Sequence, residues 1–259
     1  MTGTAMVTTR RVEYPADGLT MVGHLALPAG SGRPRSPGVL LGPEGTGLND
    51  FQRRRADVLA ELGYLAFAFD IHGGRWFGDP EQMMARLGPL LADRARMRAI
   101  GHAGLDVLHS QARVDPGRVA AVGYGIGGTI GLELGREGVD LSAIAAVNAP
   151  LAPGQPGEAA RIACPVWVGV GSEDPLVTAT ERDAFATEMQ AAGVDWRLVV
   201  YGGALHAFHH PPVTPDGSLS DTDDHTQPVL DGVGYHPRHA QRAWRAIVDL
   251  LAECLAKSQ

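Results

Sequence analysis

A chain of 259 residues with 44% hydrophobic side chains is long enough to bury one sizeable α/β core. Its formal net charge of −7 and the lack of any basic stripe argue against a nucleic-acid partner. No apolar run approaches the roughly 20 residues of a membrane helix. Residues 1–10 are small and polar, with no apolar leader core, and the two cysteines, Cys164 and Cys254, form no CxxC pair. Two reduced thiols in a cytoplasmic protein, with no membrane partner, is the expectation.

The predicted elements begin with a hairpin over 10–14 and 20–27, turned at Asp17-Gly18. "GSGRPRSPG" (30–38) reads as a loop and "GVLLG" (38–42) as a buried strand. Asp50 is expected to cap a helix with Phe51, Val58, Leu59 and Leu62 on its apolar face, ending near Gly63. "YLAFAFD" (64–70) is the next strand, and helical patterns follow across about 80–112. "VAAV" (119–122) leads into "GYGIGG", and a helix follows. "SAIAAVN" (142–148) and "CPVWVGVG" (164–171) are further strands, with a helix at 178–192 closing at Gly193. "DWRLVVYG" (195–202) is the last strand, and the final helix covers 237–256. Alternating strands and helices with short connections predict one α/β domain over 1–259, its mostly parallel central sheet covered by helices on both faces.

Parallel sheets present ligand sites at the carboxyl ends of their strands. Glu44 follows the strand at 38–42, Asp174 the strand at 164–171 and His206 the strand at 195–202. The segment Gly123-Tyr124-Gly125-Ile126-Gly127 has the strand–turn–helix pattern of a nucleophile elbow, but Gly125, at the nucleophile position, has no side chain. The order elbow, acid, histidine is that of the α/β-hydrolase triad. A histidine used as general base needs a carboxylate to fix its tautomer and balance its developing charge, which assigns Asp174 and His206 to one pair. The backbone N–H groups of Ile126 and Gly45 are the expected oxyanion-hole donors.

The sequence resembles the dienelactone hydrolase family. The resemblance rests on "GPEGTGLNDFQRRRADVLAELGYLAFAFD", "GYGIGG", "GSEDPLVTATERDAFATEMQAAGVDWRLVVYGGALHAF" and "GYHPRHAQRAW", between residues 38 and 250. It implies the α/β-hydrolase fold, a small carbonyl substrate (a lactone, an ester, or an enol or polyketide-like molecule) and no cofactor. In that family the elbow carries Cys or Ser, a first-loop glutamate contacts it, and Asp and His complete the set. Glu44, Asp174 and His206 carry over, while the nucleophile does not. Asn148 stands where similar family members often have a His-Gly pair, so this part of the pocket wall is altered.

Glycine takes the positive φ of an elbow without steric cost, so the fold survives while covalent catalysis is lost. Tyr124 and Thr129 project from other positions of the turn and do not replace it. Three readings follow. In the first, the protein is an enzyme in which His206, oriented by Asp174, acts directly on water or substrate with Glu44 as a second acid or base. That chemistry is hydrolytic, or of lyase, isomerase or cyclase type. In the second, the glycine is an engineered knock-out of a Cys or Ser hydrolase. In the third, the chain is a non-catalytic binding protein.

Further candidates are weaker. Arg75 and Trp76, after the strand at 64–70, lie on the active-site side, where Arg75 is suited to a substrate carboxylate. Tyr124, Asn148 and Tyr235 are assigned to the pocket wall or rim; Arg238 beside Tyr235 is equally suited to capping the last helix. The irregular stretch 207–234 reads as a solvated loop or lid. Its His209, His210 and His225 match no metal-ligand spacing, so no metal is expected. No repeat or dinucleotide fingerprint is present.

Overall fold

The structure, a computed structural model, describes residues 7–30, 35–213, 217–219 and 231–256. Its strands are β1 (Thr8–Ala16), β2 (Leu19–Leu27), β3 (Ser36–Gly42), β4 (Leu65–Ala68), β5 (Val114–Tyr124), β6 (Ala143–Val147), β7 (Val166–Gly171) and β8 (Trp196–Tyr201). They form one eight-stranded sheet in the order β1-β2-β4-β3-β5-β6-β7-β8. The β1–β2 and β2–β4 pairs are antiparallel, and every later pair is parallel. The hairpin turn places both Asp17 and Gly18 at positive φ, 50° and 69°, as a tight primed turn requires.

The helices are α1 (Asp50–Glu61), α2 (Pro80–Leu91), α3 (Arg94–His109), α4 (Ile126–Glu137), α5 (Ala179–Ala192) and α6 (Pro237–Cys254). One expectation is corrected. The cap of α1 is Asn49: its side chain accepts from Phe51 N–H at 2.9 Å while Gln52 returns to the Asn49 N–H at 3.1 Å. Asp50 falls in the first turn instead. The helical patterns across 80–112 are α2 and α3, and Asp93 caps the start of the second by accepting from Arg96 N–H at 3.0 Å. β3, β4, β6 and β7 are buried along their whole length, which explains their continuous apolar runs. Two apolar clusters cover the two faces of the sheet.

A buried ion network anchors the helix that starts at the elbow. Glu133 of α4 accepts from Arg94 and Arg98 of α3 at 2.9 and 3.0 Å and from Arg136 at 3.0 Å. Arg136, only 1% exposed, also pairs with Glu188 of α5 at 2.6 Å. Removing one partner of such a network leaves buried charge uncompensated. Glu133→Ala is therefore expected to destabilise the fold by about 3–5 kcal/mol. Chemical denaturation reads this directly, and a loss below about 1 kcal/mol would show the network to be solvated like a surface pair.

Candidate active site

The elbow is present. Gly125 directly follows β5, at φ 51°, ψ −126°, and caps α4. Close packing beneath the turn needs glycine as well: a Cβ at Gly127 would meet the Gly42 carbonyl carbon at 2.3 Å. At Gly125 the case differs. A Cβ there would meet nothing nearer than Glu44 Cα at 3.6 Å and Gly45 N at 3.7 Å, ordinary contact distances. Room for a Cβ is thus open at the nucleophile position.

Asp174 and His206 come together. His206 Nδ1 lies 2.9 Å from Asp174 Oδ2 and 3.1 Å from Oδ1. Asp174 also accepts from Leu176 N–H, Val177 N–H and Asn148 Nδ2–H at 2.8, 3.2 and 2.7 Å. Burial opposes its ionisation, but His206 and these donors outweigh burial and hold the carboxyl below its ordinary value. As an ionised acceptor it fixes the hydrogen of His206 on Nδ1, leaving Nε2 as the basic lone pair.

The sign of the pH effect follows. A depressed carboxylate contributes stability that is complete above the unfolded value of about 3.9 and is lost as pH falls through the folded value. Asp174→Asn is expected to flatten that part of the acid limb in denaturation experiments. An acid limb identical to that of the parent protein would sink the assignment.

Gly45 and Ile126, whose N–H groups were expected to be oxyanion donors, both line the cavity. Glu44 C=O accepts from Gly47 N–H at 3.0 Å, which turns the opposite end of the same peptide, Gly45 N–H, the other way. Gly127 N–H is taken by Pro43 C=O at 2.9 Å, but neither Ile126 N–H nor Gly45 N–H has a backbone acceptor among the described residues. Ile126 N–H is one of the free donors at the positive end of α4.

A cavity of about 410 Å³ contains Glu44, Gly125 and His206 on its wall. Most of the remainder is apolar, from Phe77, Met83, Met84 and Leu87 to Leu176. Met84 and Leu176 are 49% and 58% exposed and stand out as solvent-facing hydrophobic side chains. Apart from Glu44 and His206, no ionisable side chain among the described residues lines it.

The five further candidates are not on this wall. Arg75 is exposed, its guanidinium 4.8 Å over the Phe77 ring. Trp76 packs beside Gly217. Tyr235 is half-buried just before α6. Tyr124 and Asn148 are buried behind the site: Tyr124 stacks on His209 at 4.6 Å, and Asn148 joins Asp174 to His209. Asn148 and Ala207 both hold positive φ, 48° and 55°, so strained backbone flanks the Asp174–His206 pair.

Sequence reading missed His209 and His210 as partners of Glu44. His209 Nε2 lies 2.9 Å from Glu44 Oε1, and His210 Nε2 lies 3.4 Å from Oε2. Burial raises the Glu44 carboxyl, but His210, His209 and His206 outweigh burial and lower it to about 2. Burial lowers His209 to about 4, while Glu44 pulls it the other way. The only signal in the sequence was the His-His pair following "HAF". Among the described residues no group of three or more such side chains is arranged to hold a metal. No described helix is long and apolar enough to cross a membrane. Of the stretch read as a lid, residues 214–216 and 220–230, with His225, lie outside the described residues.

Known proteins share this arrangement of elements. A metagenomic "dienelactone hydrolase-like promiscuous phosphotriesterase", P91, is 33% identical with a TM-score of 0.85, covering 96% of this chain and 99% of its own. A structure named m3DLH is 39% identical at the same TM-score of 0.85, with 96% and 99% coverage. A "probable 2-oxo-3-(5-oxofuran-2-ylidene)propanoate lactonase" of Bradyrhizobium sp is 27% identical over 211 residues, 76% of this chain and 83% of that protein. The sequence model of the dienelactone hydrolase family matches residues 21–255. With that match spanning nearly its whole length, and with the α/β-hydrolase sheet and elbow in place, the chain belongs to the dienelactone hydrolase family.

Proposed function

We propose that this protein hydrolyses a small, apolar, uncharged lactone or ester by direct general-base catalysis, with no acyl-enzyme intermediate. The observation that carries the reading is a catalytic pair held at 2.9 Å beside an elbow with no side chain. His206 Nε2 takes a proton from water as the water oxygen attacks the carbonyl carbon. The oxyanion that forms is met by Ile126 N–H and Gly45 N–H, and Glu44 serves in proton transfer. Hydrolysis is favoured over lyase, isomerase or cyclase chemistry by these unpaired donors and by the lactonase and hydrolase names of the relatives. The apolar wall, with no cation among its described residues, favours an uncharged substrate over the carboxylate for which Arg75 was considered.

Stopped-flow hydrolysis of dihydrocoumarin and p-nitrophenyl butyrate tests the reading. Product is expected to form linearly from the first turnover. A burst equal to the enzyme concentration would reveal a covalent intermediate and overturn the mechanism. One observation favours a second reading, a covalent hydrolase lacking its nucleophile: a side chain at position 125 has room. The Gly125→Cys variant separates the two.

A further inference from the structure

Glu44 lies where two histidine rings meet, and the hydrogens of both rings are fixed from behind. Asn148 gives its Nδ2–H to the acceptor-only Asp174, so Asn148 Oδ1, 3.0 Å from His209 Nδ1, needs a hydrogen from that ring. Pro211 C=O, 2.6 Å from His210 Nδ1, fixes the same tautomer there. His210 Nε2 then accepts from the Asn49 amide at 3.0 Å, whose own oxygen is committed to Phe51 N–H. In two neutral rings, both Nε2 atoms are lone pairs facing Glu44, at 2.9 and 3.4 Å. His209 Nε2 is buried and has no aligned hydrogen-bond partner.

The row Glu44–His209–Asn148–Asp174 therefore ends in an acceptor on each side. Three gaps need three hydrogens, while a neutral imidazole and an amide supply one each. Burial of His209 and the charges around Glu44, taken separately, favour a neutral ring beside an ionised carboxylate. That state sets lone pair against lone pair and leaves a net negative charge beside a side chain only 3% exposed. The hydrogen count decides for one added proton, which makes the pair neutral overall and completes the row.

We propose that Glu44 and His209 hold one shared proton in the resting protein, and that Glu44 delivers it to the departing oxygen during ester or lactone cleavage. The donor step rests on the hydrolytic reading; the shared proton does not. Water loses a proton to His206 Nε2 as its oxygen bonds to the carbonyl carbon. The tetrahedral oxyanion collapses, the bond from carbon to the departing oxygen breaks, and that oxygen takes the Glu44–His209 proton. The proton on His206 returns through cavity water to the Glu44–His209 pair, which restores the resting state. His209 does not touch substrate. It is a positioning residue, held by the Tyr124 ring stacked 4.6 Å away.

Nitrogen-15 spectra of histidine-labelled protein and carboxyl infrared spectra, both near neutral pH, read the proton without any substrate. The expected result is one histidine with both ring nitrogens protonated, or one protonated carboxyl band. Either signature should vanish in Glu44→Gln, whose amide hydrogen satisfies His209 Nε2 without an added proton. A parent protein showing neither signature overturns the shared proton. The donor step is read by comparing ethyl butyrate with p-nitrophenyl butyrate. Nitrophenolate leaves without needing a proton, whereas ethoxide needs one. Glu44→Gln should lower kcat for the ethyl ester about 10²-fold, with a much smaller loss for the nitrophenyl ester and little change in KM. Equal losses on the two esters overturn the donor role. If the parent protein hydrolyses neither ester nor dihydrocoumarin, the hydrolytic reading and the donor step fall together, and the spectra still decide the proton.

Discussion

Replacing His206 by alanine is expected to lower turnover of a lactone such as dihydrocoumarin about 10²–10⁴-fold, the usual contribution of a positioned general base. In a serine or cysteine hydrolase the histidine shares the work with a nucleophile. Here the elbow residue is Gly125, so no side chain attacks the carbonyl and the attacking water depends on His206 alone. The loss should fall on kcat, because the apolar wall that binds substrate is untouched. Imidazole added to His206→Ala should restore part of the rate, since the lost group is small and acts as a free base. Steady-state rates with and without imidazole test this. If activity survives the substitution intact, the catalytic pair is not the engine of the reaction; if ligand still binds with no turnover in either protein, the chain is a binding protein.

Gly125→Cys carries the second large effect, and here the two mechanistic readings diverge. The new Cβ meets no neighbouring side chain or backbone closer than 3.6 Å, so the cost of the substitution lies in its backbone conformation. At φ 51°, ψ −126° a non-glycine residue is strained by about 1–3 kcal/mol, a loss visible as a lower Tm. Under the direct mechanism the thiol occupies the space where water stands, so dihydrocoumarin turnover should not rise. A weak new reaction with p-nitrophenyl butyrate, leaving a trappable thioester, is compatible with that. Under the covalent reading the same variant restores a complete triad. Lactone turnover should then rise on the order of 10³-fold or more. A rise of that size on the lactone would falsify the direct mechanism.

The order of the elements was legible because each is written in local chemistry. Fully buried strands such as β6 and β7 show as continuous apolar runs, and Gly193 at φ 69° ends α5 as its position predicted. Strand order in the family fold and the sequence of elbow, acid and histidine then placed Asp174 beside His206. Helix boundaries were less legible. Asn49 and Asp50 are both good caps by residue type, and only the reciprocal bond from Gln52 decides between them.

What the sequence by itself determined, then, is the α/β frame, the family, the empty elbow and the pairing of Asp174 with His206. All of these depend on residue type and local order. Tertiary structure alone decided what surrounds that pair. Arg75, Trp76 and Tyr235 sit on loops at the correct end of the sheet, but loop position does not fix side-chain direction, and none of the three reaches the cavity wall. His209 and His210 read as loop residues until the turn after His206, with Ala207 at φ 55°, folds them back against Glu44. Asn148 became a link between two ionisable pairs only because β6 and β7 are neighbours, which brings it within 2.7 Å of Asp174. Polar side-chain contacts between residues 26 to 165 positions apart depend on the path of the whole chain, and no local pattern in the sequence records them.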